Sequence, residues 1–340
     1  MIKNLNNTQS PETGKRLWVT WNDQRRNETL SKELGAKLVE YRFSGTNLIR
    51  YPFLSLKTLR LLYQTRPDLL FAQNPSLFLT GLVSLVGKLF GFPVVIDAHN
   101  AGIYPLEGRS SILNYIALKI NSMADVVLVS NDNLKGYLGR NGVDSYSIPD
   151  PIPVIASDCS SEVDKAKFNV VYVCSWSGDE PYMDVIKAAS LLDDSYKIYV
   201  TGKVGSKLDK VDRNDIGQNV AFTGFLSVKD YESLLNSCDA VMVLTTRDDC
   251  LVCGAYEGVS VNRPLILSDT AALREYFNVG AVYTENTSAQ IASSIIKAKE
   301  NIERLCEEII TLKISRTREL NEKLYSLNDY LCDLVEKSGN

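Results

Sequence analysis

The sequence predicts an α/β fold in two halves. Short apolar runs of β character alternate with longer stretches of helical periodicity along most of the chain. At 340 residues the chain is long for one hydrophobic core and suits two. Between the halves, Ser147-Ile148-Pro149-Asp150-Pro151-Ile152-Pro153 is a stiff, extended connection that cannot be helical.

The predicted elements of the first half follow in order. Residues 1–14 are polar and read as a disordered tail. Leu17 to Trp21 is the first strand, and the polar run from Asn22 to Asn27 leads into a helix through Leu30 and Leu34 that Gly35 closes. A polar loop after strand one lies at the carboxyl edge of a parallel sheet, where such folds bind ligands. Arg25 and Arg26 sit there and suit a phosphate or acidic sugar, or simply a solvated helix start. A helix is expected from Tyr51 to Gln64, a strand from Leu69 to Gln73, and a very apolar helix from Leu77 to Phe92. That last segment falls short of the roughly 20 residues needed to span a bilayer. It either packs on the sheet or lies partly on a membrane surface. Pro93 to Asn100 is a buried strand ending in polar residues, and it carries Asp97 and His99, the only histidine, toward its carboxyl end. His99 there either meets a ligand or bonds nearby backbone; Asp97 is either its companion acid or a cap. A helix from Ile112 to Met123, a strand from Ala124 to Ser130 and a helix near Asn133 to Gly139 complete this half.

The second half restarts with the strand Asn169 to Cys174 and the loop Ser175-Trp176-Ser177-Gly178-Asp179-Glu180-Pro181. Lys203 follows the next strand, and Phe225 follows the short strand near Ala221. The densest pattern comes after the strand Val241 to Leu244. It is the run Arg247-Asp248-Asp249-Cys250-Leu251-Val252-Cys253-Gly254-Ala255-Tyr256-Glu257, continuing as a buried helix from about Leu251 to Val259 and a strand from Leu265 to Leu267. Asp249 and Glu257 lie eight positions apart, roughly 12 Å at ~1.5 Å rise per residue. That matches the span of a nucleoside diphosphate with a sugar attached. A carboxylate accepts hydrogen bonds from sugar hydroxyls, and the N–H groups at a helix start suit the diphosphate between. From Ser288 onward the pattern is helical, expected as 289–312 and 316–335.

Composition narrows the function classes. A hydrophobic fraction of 45% with 23% charge is ordinary for a globular protein, and a net charge of −4 argues against a general nucleic-acid binder. Residues 1–150 hold 17 basic and 12 acidic residues, the remainder 20 and 29, so the first half suits an anionic membrane or acceptor. Seven scattered cysteines and no recognisable signal peptide point to a reducing cytoplasm, with peripheral contact at the inner face of the cell membrane as an option. Cys250-x2-Cys253 with one histidine in the chain does not make a zinc site, and no Gly-x-Gly-x-x-Gly fingerprint supports a dehydrogenase.

The Asp249-x7-Glu257 run, the turn at Asn262-Arg263-Pro264 and the strand after it resemble the acid-x7-acid element of GT-B glycosyltransferases, especially family GT4. The usual first acid is Glu and the usual turn residue Gly, so this chain departs at Asp249 and Asn262. It also lacks the Arg and Lys that members commonly carry after the first strand of the second domain; Lys203 and Arg247 are the candidate replacements. The resemblance implies a GT-B fold, two Rossmann-like domains facing a cleft: 15–150 for the acceptor, 151–315 for the nucleotide-sugar donor, and a helix at 316–340 crossing back to the first domain. It implies glycosyl transfer from a nucleotide sugar to an acceptor hydroxyl, with retention and with no cofactor or obligatory metal. The acceptor expected is a saccharide or lipid-linked saccharide in surface polysaccharide or glycolipid synthesis. His99, Asp97 and Asp249 become catalytic candidates. Lys203, Phe225, Arg247, Leu251, Val252, Cys253 and Glu257 become donor-binding candidates. The rival readings are a non-catalytic nucleotide-sugar-binding or scaffold subunit, and another enzyme on the same architecture such as an NDP-sugar epimerase.

Overall fold

The computed structural model describes residues 15–22, 24–43, 45–74, 76–156, 163–205, 207 and 216–338. The tail read at 1–14 lies outside them. The chain forms two compact units, 1–149 with 320–340, and 150–319.

Unit 1 holds β1 (Arg16–Thr20), α1 (Arg25–Glu33), β2 (Lys37–Glu40), α2 (Asn47–Thr65), β3 (Leu69–Asn74), α3 (Leu77–Phe90), β4 (Val94–Ala98), α4 (Asn100–Ile103), α5 (Ser111–Asn121), β5 (Val126–Val129), α6 (Asp132–Arg140) and β6 (Ser145–Ser147). The sheet is parallel throughout, in the order β2-β1-β3-β4-β5-β6. Strands β1, β3, β4 and β5 are buried along their whole lengths, as a sheet covered on both faces requires. Leu54 and Leu62 of α2, Val83 and Val86 of α3, and Leu134 and Leu138 of α6 pack on one face. Leu30 of α1 and Leu34, its C-cap, pack on the other, beside Trp18 and Phe71, whose rings stack at 5.1 Å.

Unit 2 repeats the plan with β7 (Phe168–Tyr172), α7 (Tyr182–Ala189), β8 (Tyr196–Thr201), β9 (Val220–Gly224), α8 (Val228–Ser237), β10 (Ala240–Val243), α9 (Cys253–Ser260), β11 (Leu265–Ser268), α10 (Ala271–Tyr276), β12 (Ala281–Thr284) and α11 (Ser288–Glu300). Its parallel sheet runs β12-β11-β10-β7-β8-β9. Helices α7 and α11 pack with Val170 and Tyr172 on one face, and α8, α9 and α10 pack with Val171 and Val241 on the other.

The last helix, α12 (Ile302–Ser338), is continuous, which corrects the two segments expected at 289–312 and 316–335. The break falls instead at Asn301, which leaves helical geometry at φ −114°, ψ 19° and ends α11. Nothing between Leu312 and Arg316 is Gly or Pro, so nothing there interrupts the backbone ladder. Leu305, Ile309 and Leu312 join the core of unit 2, while Leu320, Leu324, Leu327 and Leu331 join that of unit 1. Arg16 donates to Asn328 at 2.5 Å and Tyr330 to Asp144 at 2.9 Å, which fixes the register of the unit 1 segment.

Candidate functional site

In a parallel sheet, ligands collect at the carboxyl ends of strands, where successive helices leave for opposite faces. In unit 2 that place is the pair β7 and β10, since α7 and α9 lie on opposite faces. The loops after these two strands are laced together. Asp179 accepts from the Thr245 hydroxyl at 3.0 Å and from Arg247 Nη2 at 3.1 Å, and also from the Ser177 hydroxyl. Its backbone carbonyl accepts from Thr246 N–H at 2.8 Å. Burial by itself would raise the Asp179 pKa, but these hydrogen bonds and the Arg247 charge together hold it below the usual 3.8.

Glu180 closes the same loop from within. Its carboxylate accepts from Ser175 N–H at 3.0 Å, Ser177 N–H at 2.8 Å and the Ser175 hydroxyl at 3.0 Å. Successive backbone N–H groups curled this way make an anion-binding concavity, and the chain's own carboxylate occupies it. The curl needs Trp176 at φ 63°, and that residue is anchored by burial and by its indole N–H, which donates to the Thr201 carbonyl at 2.9 Å. Gly202 lets the neighbouring loop approach: at φ +86° any Cβ would lie 2.2 Å from the Cys174 carbonyl oxygen. The Cys174 thiol donates to Glu180 at 3.4 Å, and burial, then the Glu180 charge, push its pKa up to about 12.

Helix α9 begins at Cys253, two residues later than the sequence pattern suggests. Val252 is its N-cap and offers no side-chain bond. Gly254 seats the helix on the sheet, since a Cβ there would meet Val173 at 2.9 Å and Val243 at 3.0 Å. One turn further, Glu257 is half-buried and accepts from the Tyr231 hydroxyl of α8 at 2.5 Å. Asp249 lies in the turn before the helix, half-buried. Val252 is half-buried and Cys253 exposed at the helix start, but Leu251 is 7% exposed and belongs to the core. Its side chain packs in that core, and only its backbone belongs to the stretch before the helix. Arg247 is brought to Asp179, whereas Lys203 is exposed after β8 and Phe225 is 87% exposed after β9, on the far flank of the sheet.

Unit 1 carries a second polar cluster at its own switch point, around β1, β3 and β4. Gln73 is its hub. The side-chain oxygen accepts from Thr20 at 2.9 Å and Asn27 at 2.8 Å, and the side-chain nitrogen donates to Gln24 at 2.6 Å. That nitrogen also lies 2.9 Å from His99 Nε2, and a ring that accepts there carries its proton on Nδ1. His99 is 30% exposed at the end of β4 and precedes α4 as its N-cap. Asp97 Oδ2 is 3.7 Å from the ring.

One expected role changes here, that of Arg26. The Asp97 side chain is 0% exposed and is held by Arg26, whose Nε lies 2.9 and 3.0 Å from its two oxygens. Arg26 Nη2 also donates to the Ile148 carbonyl at 2.9 Å. Asp97 is thus a buried acid paired with Arg26 and lying beside His99, shielded from direct contact with solvent. Arg26 is likewise buried and engaged, which removes it as a phosphate or acceptor contact. Arg25 opens α1, and its side chain lies outside the described residues. Among the described residues no group of three His, Cys, Asp or Glu is placed to hold a metal.

No family model matches the chain, and no curated protein matches its sequence. Solved structures match its fold. Sucrose-phosphate synthase from Thermosynechococcus elongatus superposes with a TM-score of 0.74 at 11% identity, over 95% of this chain and 100% of that one. HepE from Anabaena, in complex with UDP-glucose, gives 0.70 at 15% identity over 94% and 91%. A glycosyltransferase from Rickettsia africae gives 0.67 at 12% identity over 94% and 99%.

The fold is GT-B.

In this GT-B chain each half carries its own polar cluster at the point where strand order reverses. Sequence reasoning did not anticipate Tyr231 behind Glu257, Gln73 behind His99, or Glu180 inside the β7 loop. Tyr231 and Gln73 gave no local signal. Glu180 did give one, because an acid two residues after Gly178 in a strand-end loop rich in Ser is placed to accept from that loop's N–H groups.

Proposed function

We propose that the chain is a glycosyltransferase of the GT4 type, moving a sugar from a nucleotide-sugar donor to an acceptor hydroxyl with retention of configuration. The observation that carries this reading is Glu257, fixed by Tyr231 one turn inside the helix that begins at Cys253, at the switch point of unit 2. A carboxylate so held accepts from both ribose hydroxyls of a nucleotide. The start of α9 and Arg247 then meet the negative charge that grows on the leaving diphosphate. Asp249 reaches the sugar hydroxyls. His99, oriented by Gln73, contacts the reacting sugar or acceptor from unit 1. The departing phosphate takes the acceptor proton, so no separate base is invoked. HepE was captured with UDP-glucose, which makes UDP-hexoses the first donors to try, and the acceptor class that fits a surface polysaccharide or glycolipid route is a saccharide or lipid-linked saccharide.

The test begins with thermal shifts against UDP-, GDP-, ADP- and dTDP-sugars. Glu257→Gln keeps the size and removes the charge, so the affinity for the preferred nucleoside diphosphate falls by about 1–3 kcal/mol. The 2′-deoxy nucleotide binds weakly to the parent and loses little further in the variant. Equal binding of both nucleotides by both proteins would remove the ribose assignment.

A second reading rests on the loop after β7. With Glu180 filling its N–H groups and Asp179 engaging Arg247, the chain is equally built as a non-catalytic nucleotide-sugar-binding subunit. Donor binding without hydrolysis or transfer, across a panel of saccharide acceptors, selects it.

A further inference from the structure

Helices α2, α3 and α5 lie side by side on one face of the unit 1 sheet. Tyr51 of α2 meets Phe78 of α3 at 5.2 Å between ring centroids, and a Cβ on Gly81 of α3 would stand 3.8 Å from Ile120 of α5. Their inner sides carry Leu54, Thr58 and Leu62, then Leu79, Val83 and Val86, then Ala117, all buried. Their outer sides would ordinarily be polar. They are not: Leu56 is 69% exposed, Leu89 73% and Ile112 73%, and Phe53, Phe78 and Tyr115 accompany them. On α2 the exposed residues Ile49, Phe53, Leu56 and Tyr63 recur at one helical stripe, so this is an organised face rather than scattered apolar residues.

The charges on these helices are of one sign. Their sequences contain Arg50, Lys57, Arg60, Lys88 and Lys119 and no Asp or Glu. Lys57 lies 4.6 Å over the Phe53 ring and Lys119 5.5 Å over the Tyr115 ring, so the stems run along the apolar surface and carry the charged heads to its border. A hollow of about 560 Å³ continues the apolar surface between α2 and α3, walled by Leu62, Val86, Phe90, Phe92 and Val335, with Arg66 and Asp68 also lining it.

We propose that this face of α2, α3 and α5 seats on an anionic phospholipid surface. An apolar stripe on three helices whose only charged residues are cations is complementary to acyl chains beneath negatively charged headgroups. A second copy of the chain fits poorly, because a symmetric contact would bring Lys57, Arg60 and Lys88 against like charges with no acid on the three helices to offset them. The attachment is peripheral, since among the described residues no helix is long and apolar enough to cross a membrane. The inference goes beyond the glycosyl-transfer reading and does not depend on it.

The experiment is co-sedimentation of the full chain with vesicles of phosphatidylcholine alone, or phosphatidylcholine mixed with phosphatidylglycerol, at low and high salt. The expected result is binding to the anionic vesicles that weakens as salt rises. The combined substitution Leu56→Gln, Leu89→Gln and Ile112→Gln lowers the partition coefficient by about ten-fold or more at unchanged circular dichroism and melting temperature. Lys57→Glu with Lys88→Glu abolishes the preference for anionic over neutral vesicles. Equal recovery in the supernatant with both vesicle types at low salt overturns the proposal. So does a concentration-dependent dimer that the Gln substitutions disperse, which would assign the face to a second copy. Nucleotide thermal shifts, read on the same variants, stay at parent values in either case.

Discussion

Asp97 offers the sharpest separation between a structural and a catalytic acid. Its carboxylate is fully buried and bound by Arg26 through Nε and Nη2 at 2.9–3.0 Å, and the Arg26 side chain is itself 6% exposed. Asp97→Asn keeps the shape and removes the charge, so a guanidinium is left in the core without its counter-charge. Breaking one side of a buried pair costs about 3–5 kcal/mol. For a unit of this size that corresponds to roughly 6–20 °C of melting temperature. The double variant Arg26→Met with Asp97→Leu removes both charges at similar volume and recovers most of that loss. Scanning calorimetry on the three proteins measures the pattern. If Asp97→Asn melts with the parent, the pair does not hold unit 1 together. If the double variant melts normally yet has lost transfer, while nucleotide binding is intact, Asp97 has a catalytic role.

Two further outcomes are expected. His99→Ala lowers turnover by about ten-fold, on the order of 1.4 kcal/mol, and leaves nucleotide affinity in unit 2 unchanged; a lower melting temperature with normal turnover per folded molecule would instead make His99 structural. Asp179 has its folded pKa below the ordinary 3.8, so its tie to Thr245 and Arg247 is fully stabilising above that value and is lost as pH falls through the lower folded value. The stability difference between the parent and Asp179→Asn, followed by urea titration, therefore persists from neutral pH to about pH 4 and shrinks below it; a constant difference down to pH 2 would refute the assignment.

The strand and helix pattern was legible because period and punctuation are local. Gly91 at φ 76° closes α3 within two residues of the expected end at Phe92, and Asn262 at φ 56° turns the chain at the Asn262-Arg263-Pro264 turn. The positions of His99 at a strand end and of Glu257 inside the helix after β10 were legible for the same reason. What sequence reasoning missed lies in long-range pairing. Arg26 and Asp97 are 71 residues apart, Tyr231 and Glu257 26, Gln73 and His99 also 26, and no spacing rule links them. An acid at a strand's carboxyl end looks the same in sequence whether it faces a ligand or an arginine. Asp97 faces Arg26, and the Leu251 side chain packs in the core.

The thiol of Cys253 has a practical consequence for watching the protein work. It is the one exposed cysteine among the described residues, and it stands at the first position of α9. Burial raises the pKa of Cys174, Cys238, Cys250 and Cys306, so maleimide chemistry near neutral pH discriminates against them. A fluorophore attached at Cys253 would sit at the start of α9. With Cys159 and Cys332 replaced, a label at the start of the helix that Glu257 shares needs no engineered cysteine.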